Sequence, residues 1–393
     1  MNNGWSYTVR DLQRLPFTAE ERLGVDVESH STVESIFCYI IDDEFLDMLF
    51  GYAAQISSDA GRLARWKDVD RNMMKKFLGI ILYTGIVVKP TLECYWKKDP
   101  IYYHPLMHKL GMSYNTFTLM LRCWHFADNS APRNPNNRLY KVQPLVDKIV
   151  NKSQQLLTPG DCVIIDESMV PFKGRLLFRQ YNPSKTNKYG IKIYKLCTAD
   201  GYTWNYEIYC GDDETIENLD KPGSIVVKLC RNLLVAGRLI VADNFDTSFP
   251  LATYLLANQT DLCGTLRKNR KHLPEYAKAK KLQRGEVIAS QKENVTVSKW
   301  RDKRDVLMIS TCHSDEMCRT RQRNPKPKPK VVLEYNSKKG IDFSDQLCSY
   351  QSPIRKSLIW YKKIAIDMIF SVAITNSVVV YNKLHPTAVP KEK

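Results

Sequence analysis

Two short apolar runs, Cys162-Val-Ile-Ile165 and Leu239-Ile-Val-Ala242, each lead straight into a carboxylate, Asp166 and Asp243. Around them lie β-rich runs at 191–198 and 202–210 flanking Ala199-Asp200-Gly201, a helical stretch at about 248–258 and a strand at 262–266. The order is β-β-β-α-β-α-β, an α/β pattern with an acid closing two of its strands. In open α/β sheets, active sites gather at such strand ends.

The flanks read differently. Residues 1 to about 30 are polar and aperiodic and look like an arm. Ser31-x-x-Glu34 forms a capping box ahead of Ile36, Phe37, Ile40 and Ile41, and Asp42 and Asp43 open a helix carrying Phe45, Leu46, Leu49 and Phe50. Helical periods follow at about 71–87, 114–126 and 142–157. Residues 267–304 hold thirteen Lys or Arg against four Asp or Glu and read as an inserted basic module, with a strand at 304–311. Arg321-Gln-Arg-Asn-Pro-Lys-Pro-Lys-Pro-Lys330 is a connector, because proline removes backbone donors and bars both helix interior and central strand. Order resumes at Val331 to Tyr335, a helix starts near Ile341, and 354–383 is helical again.

Composition narrows the class. With 44% apolar residues among 393, the chain is not mainly disordered, and its net charge of +16 attracts polyanions, nucleic acid first. The eleven cysteines are scattered singly and form no CxxC pair, which fits reduced thiols of an intracellular protein. Met1 to Arg10 lacks a signal-peptide core, and Ile364 to Tyr381, interrupted by Asp367, Thr375 and Asn376, reads as a buried helix and not a membrane span.

Three acidic positions carry candidate chemistry: Asp166, Asp243, and the pair Asp342 and Asp345, spaced i and i+3 on one helix face. Clustered carboxylates suit Mg²⁺, and two such ions about 4 Å apart stabilise both oxygens of an in-line phosphoryl displacement. Any one of these acids alone also suits a turn or a cap. From Pro171 to Lys195 there are seven cations and no acid, namely Lys173, Arg175, Arg179, Lys185, Lys188, Lys192 and Lys195, with Tyr181, Tyr189 and Tyr194 interleaved. A phosphate backbone fits this band. Cys312-His313 with Cys318 matches no common zinc spacing, and His125 beside Trp124 and Phe126 reads as a core or helix-end histidine. No Walker A loop, G-x-S-x-G or dinucleotide fingerprint is present.

Four blocks together resemble the piggyBac-type transposases: Ile165-Asp-Glu-Ser-Met-Val-Pro-Phe-Lys-Gly-Arg175, Asn182-Pro-Ser-Lys-Thr-Asn-Lys-Tyr-Gly-Ile-Lys192, Ala242-Asp-Asn-Phe-Asp-Thr-Ser248 and Asn336-Ser-Lys-Lys-Gly-Ile-Asp-Phe-Ser-Asp-Gln346. The similarity spans about residues 33–383. It implies an α/β catalytic core of RNase H-like type, a mixed β-sheet with helices, split by an insertion and flanked by mainly α-helical segments. The implied plan is an arm (1–30), a helical dimerisation and DNA-binding segment (31–158), a leading core segment (159–266), the basic insertion (267–330), a closing core segment (331–351) and a C-terminal helical segment (352–393).

By the same resemblance Asp166, Asp243 and Asp342 are the catalytic aspartates, Asp345 is a further acid beside the metal site, and Trp360 lies near the active site. The implied reaction is cut-and-paste transposition at TTAA targets by a homodimer, with two Mg²⁺ (Mn²⁺ as substitute) and double-stranded DNA as partner. A freed 3′-hydroxyl attacks the opposite strand to form a hairpin, and the reopened end joins target DNA. No membrane or small-molecule cofactor is expected. The family's cysteine-rich zinc domain and extended acidic N-terminal region have no counterpart in these 393 residues, so zinc is not expected and the sequence reads as a transposase or the truncated body of one. Phe245-Asp246 departs from the family's usual Trp-Phe pair. Nuclear localisation is expected, with Lys326 to Lys330 as a signal. The alternatives are a domesticated, transposon-derived DNA-binding protein without a catalytic role, and a structure-specific nuclease on the same fold.

Overall fold

The structure, a computed structural model, describes residues 4–24, 27–49, 51, 69–128, 130–132, 134–183, 185, 187–211, 215–279, 281–319, 327–338, 340–350, 352–354, 357 and 359–386. Phe50, residues 321–326 of the basic connector with Lys326 of the nuclear signal, and Ser184, Thr186 and Lys339 of the family blocks lie outside the described residues.

In chain order the strands are β1 (Arg22–Leu23), β2 (Leu157–Thr158), β3 (Cys162–Pro171), β4 (Arg179–Tyr181), β5 (Tyr189–Cys197), β6 (Thr203–Ile208), β7 (Leu239–Ala242), β8 (Asp261–Thr265), β9 (Val287–Lys292), β10 (Val295–Arg301), β11 (Asp305–Ser310), β12 (Met317–Arg319) and β13 (Pro327–Pro329). The helices are α1 (Val33–Ile40), α2 (43–49), α3 (Arg71–Ile86), α4 (Pro105–Lys109), α5 (Tyr114–Cys123), α6 (Gln143–Leu156), α7 (Lys221–Cys230), α8 (Phe249–Ala257), α9 (Tyr276–Ala279), α10 (Lys330–Ser337), α11 (Gly340–Ser349) and α12 (Trp360–Leu384). They divide into two compact units. The first comprises Met1–Gly24, Leu157–Ser168 and Ile193–Ser344, and the second Val25–Leu156, Met169–Lys192 and Asp345–Lys393.

The first unit is built on a mixed sheet of order β6-β5-β3-β7-β8-β11-β10-β9. Its centre is parallel, with Cys162↔Leu239 to Ile165↔Ala242 pairing β3 with β7 and Leu239↔Asp261 to Ala242↔Gly264 pairing β7 with β8. Parallel neighbours cannot be joined by a tight turn, so α8 makes the crossover from β7 to β8. On one face Cys162, Ile164, Leu239, Val241, Cys263 and Met308 share a core with Val331 and Val332 of α10 and Ile341 of α11. The alternate residues Val163, Ile165, Ile240, Ala242 and Leu262 are buried too. Both faces are therefore covered, as a parallel centre requires, and the runs read as continuously apolar.

Residues 267–330, set apart by charge, carry β9, β10 and β11, which extend this same sheet. β11 pairs antiparallel with β8 through Met308↔Thr265 and Ser310↔Cys263, so the backbone groups on that edge of β8 are satisfied. The polar arm also belongs to this unit. Trp5 is buried edge-on against Phe249 at 5.4 Å, Ser6 bridges to Gln291, the Leu15 N–H donates to Asp261 Oδ2 at 2.8 Å, and β1 pairs with β2. These contacts are all far apart in sequence, which is why no periodicity announces them. Pro327 and Pro329 sit in β13, whose only pairing among the described residues is with β12, a place that tolerates missing donors.

The second unit is mainly helical. Its first cap falls one residue later than the Ser31–Glu34 box: Thr32 is the N-cap, exchanging hydrogen bonds with Ser35, while the Ser31 hydroxyl accepts from the Glu28 N–H. Asp42 caps α2 by accepting from the Phe45 N–H at 2.8 Å, and Asp70 caps α3. Phe77 packs against Phe117 at 5.2 Å and Trp124 at 5.5 Å. The helix expected over 354–383 begins at Trp360. By length and composition α12 is apolar enough to cross a membrane, and most of it is buried within the protein, with Asn376 donating to Ser153 Oγ of α6 at 3.1 Å. In the same unit, β4 pairs with the start of β5 through Arg179↔Ile191 and Tyr181↔Tyr189.

Candidate active site

The parallel register decides where the acids stand. Because Ile165 pairs with Ala242 as the last rung of the β3–β7 ladder, the next residues, Asp166 and Asp243, stand side by side where that ladder stops. Asp243 follows the end of β7, whereas β3 runs on to Pro171, so Asp166 lies inside its strand and does not close it as the sequence suggested. Asp342 comes from the first turn of α11. One cleft in the first unit is lined by Ile164, Ile165, Asp166, Val241, Ala242, Asp243, Tyr335, Asn336, Lys338, Ile341 and Asp342. The start of α11 can sit this close only because residue 340 is glycine, where a Cβ would meet the Thr198 carbonyl oxygen at 2.1 Å. One turn on, buried Ser344 Oγ lies 3.2 Å from Thr203 Oγ1, pinning α11 to β6.

Asp166 is half-buried and its Oδ1 accepts from the Glu167 N–H at 2.6 Å. Asp243 Oδ1 accepts from Thr265 Oγ1 at 2.6 Å and faces the Tyr335 hydroxyl at 3.5 Å. Burial, with the negative charges of Asp243 and Asp166 beside it, pushes the Tyr335 phenol above its usual range. Tyr335 therefore stays a donor toward Asp243. Its neighbour Glu334 is fixed by His313, whose Nε2 lies 3.0 Å from Glu334 Oε2 and whose Nδ1 lies 2.8 Å from Ser310 Oγ. The His313 hydrogen bond holds the Glu334 carboxyl below its ordinary value despite partial burial.

Sequence reasoning missed Tyr335, Thr265 and Lys338. Thr265 had a signal, since it ends β8 next to Asp243 just as Asp243 ends β7 next to Asp166. Lys338 had one too, its place inside the Asn336–Gln346 block, whereas Tyr335 had none, because its place depends on how α10 packs.

Carboxylate oxygens with threonine and tyrosine hydroxyls form a donor set for a hard divalent cation and contain no soft ligand. Among the described residues, no three His, Cys, Asp or Glu side chains are close enough together to hold one ion. Holding one between Asp166, Asp243 and Asp342 would require the three to draw in, and Asp342 is the exposed member. Asp345 lies one turn further along α11, falls in the second unit and is not a lining residue. As for Cys312-His313 and Cys318, both His313 nitrogens face Ser310 and Glu334, burial pushes the Cys312 thiol up to about 12, and Cys318 Sγ lies 3.8 Å from Glu316. His125 is buried, with its ring edge-on to Tyr361 at 5.5 Å.

The cationic band falls mainly in the second unit. Lys173, Arg175, Arg179 and Lys188 are exposed, Lys185 and Lys192 half-buried, whereas Lys195 of the same band is buried in the first unit. Arg179 Nη1 donates to the Lys173 and Gly174 carbonyls, both at 3.0 Å, and its guanidinium lies 5.3 Å over the Tyr189 ring. Trp360 packs edge-on against Phe178 at 5.3 Å.

A family model described as transposase IS4 matches residues 33–378. PiggyBac transposable element-derived protein 2 of Homo sapiens is 26% identical over 346 residues, covering 82% of this chain and 58% of that protein. The chain belongs to the piggyBac-type transposase family. Within this family, the human piggyBac transposable element-derived protein 3 is also 26% identical, over 84% of this chain and 58% of its own length. The chain thus spans little more than half the length of these relatives. A cryo-EM structure of the piggyBac transposase synaptic complex with hairpin DNA matches with a TM-score of 0.82 at 25% identity, covering 94% of this chain and 78% of that one. The core of this piggyBac-type chain is accordingly RNase H-like, a mixed sheet with helices on it.

Proposed function

We infer that this chain is the body of a cut-and-paste DNA transposase in which Asp166, Asp243 and Asp342 carry metal-dependent strand cleavage. The observation that carries the reading is their placement on one cleft, from three elements far apart in sequence. Asp166, Asp243 and Asp342 would hold Mg²⁺ or Mn²⁺, which when bound supplies Lewis acidity at the attacking and leaving oxygens. Thr265 and Tyr335 orient the Asp243 carboxylate by donating to it. Lys338 contributes a positive charge to the same cleft, suited to a non-bridging oxygen of the scissile phosphate. Lys173, Arg175, Arg179, Lys185, Lys188 and Lys192 serve the DNA backbone, and Trp360 is the aromatic contact of that unit.

The likeness to a synaptic complex with hairpin DNA supports DNA as substrate. The reading extends to cleavage through hairpin ends, joining at TTAA, a homodimer and a nuclear setting. The test is cleavage of duplexes carrying the gene's own flanking ends and TTAA, in Mg²⁺ or Mn²⁺. Asp166→Asn, Asp243→Asn and Asp342→Asn are each expected to lower cleavage by about 10³-fold or more while duplex binding persists. Undiminished cleavage in any one variant removes that residue from the site. Salt-sensitive binding with no product from the unaltered chain would favour the domesticated binding protein.

A further inference from the structure

Among the exposed apolar side chains of the second unit, Leu177 combines 80% exposure with a rigid mount. It occupies a four-residue turn closed by the Arg179 N–H donating to the Leu176 carbonyl at 3.2 Å. The other central residue, Phe178, is 5% exposed and packs edge-on against Trp360. Arg179 locks the turn from the far side through its two hydrogen bonds to the carbonyls of Lys173 and Gly174. Backbone and anchor are therefore fixed, and Leu177 projects from them. Lys173, Arg175 and Arg179 are exposed around it, with no acid between residues 171 and 195.

A lone exposed leucine needs no explanation as such. One held on an anchored turn inside a cationic collar is a different object: the collar selects a polyanion, and an apolar tip has no favourable contact with phosphate or water. Proteins that kink duplex DNA insert such apolar wedges between base steps while cations grip the flanking phosphates.

We propose that Leu177 is a wedge that enters between base pairs and unstacks them, so that this face recognises duplex DNA that is distorted or easily opened. The inference rests on the DNA-binding reading above and deepens it. Lys173 and Arg175 supply affinity, and Leu177 supplies preference for deformable sites.

The test uses the full chain and 30-bp duplexes carrying 2-aminopurine, either fully paired or with one central mismatch. The unaltered chain should raise 2-aminopurine fluorescence on binding and should favour the mismatched duplex about tenfold, since a mismatched step is easier to unstack. Leu177→Ser should lose both the fluorescence rise and the preference, keep the same dependence of affinity on salt, and retain its melting temperature because the side chain is exposed. Leu177→Met should restore both signals. Lys173→Gln with Arg175→Gln should instead weaken both duplexes equally and flatten the salt dependence. A fluorescence rise or a mismatch preference that survives Leu177→Ser overturns the wedge. Salt-dependent binding by the unaltered chain with no fluorescence rise overturns it while leaving DNA binding standing, and absence of salt-dependent binding defeats the DNA reading itself.

Discussion

Asp243 is held from two sides, with Thr265 and Tyr335 both directed at Oδ1. Tyr335 is in turn carried on α10, which His313 and Glu334 tie to the end of β11. That tie has a pH signature. The Glu334 carboxyl sits below its ordinary value of 4.5, so its stabilisation is present above that pH and is lost as pH falls through the lowered value. Glu334→Gln should cost about 1 kcal/mol at pH 7, at the low end for a charged hydrogen bond because the carboxylate is partly solvated. Denaturant melts of both proteins should show that difference vanish in acid below the usual glutamate range. A difference that persists unchanged at pH 3 would mean Glu334 acts through packing alone.

At the scale of elements, α5 and α12 are joined by a buried lysine. Lys362 Nζ donates to the carbonyls of Leu121 and Arg122 at 2.5 and 3.0 Å, taking two of the acceptors that the end of α5 leaves open. Burial pulls this ammonium from 10.5 down to about 8. Between those values the unfolded chain holds a proton that the folded one has released, so stability from this group rises with pH across that window. Lys362→Met should be less stable by about 1 kcal/mol at pH 7, the lost carbonyl partners outweighing relief of the buried charge. The gap should widen from pH 8 to 10.5, as read by chemical denaturation at each pH. A gap that narrows over that range would show that the folded protein holds this proton more tightly than the unfolded chain, the opposite of a burial-lowered lysine. At the same scale, the Ser31–Glu34 box and the observed Thr32–Ser35 cap differ by one residue because Ser31 closes the preceding turn onto Glu28. The two boxes serve equivalent donors one residue apart, those of residues 31 and 34 or those of Thr32 and Ser35, and the entering backbone selects the second.

Over the whole molecule, the net charge of +16 predicts binding to duplex DNA that falls steeply with salt. If all six of Lys173, Arg175, Arg179, Lys185, Lys188 and Lys192 meet phosphates, log K should fall against log salt with a slope of about −5. Each single Lys→Gln or Arg→Gln change should reduce that slope by about 0.9, measured by fluorescence anisotropy from 50 to 200 mM salt. A slope unmoved by these changes would place the phosphate contacts elsewhere, with the exposed cations of 267–304 next in line.

The apolar runs that lead into Asp166 and Asp243, the helical flanks, the cationic band and the family were all legible in the sequence, because each is written locally in apolar period, capping chemistry or contiguous motif; the end of β3 was not, since the strand runs on past Asp166 to Pro171. Charge and spacing also named Asp342, though only as one member of an i, i+3 pair. Tertiary packing settled the rest. The register of β3 on β7 sets two acids side by side, and glycine at 340 lets Asp342 line the same cleft while Asp345 does not. Packing of α10 brings Tyr335 and Lys338 into it. The aperiodic arm and the basic stretch became members of one sheet-based unit through Ser6 on Gln291 and Met308 on Thr265. Those outcomes rest on hydrogen bonds and contacts between residues tens to hundreds of positions apart, and such pairings leave no period in the chain that makes them.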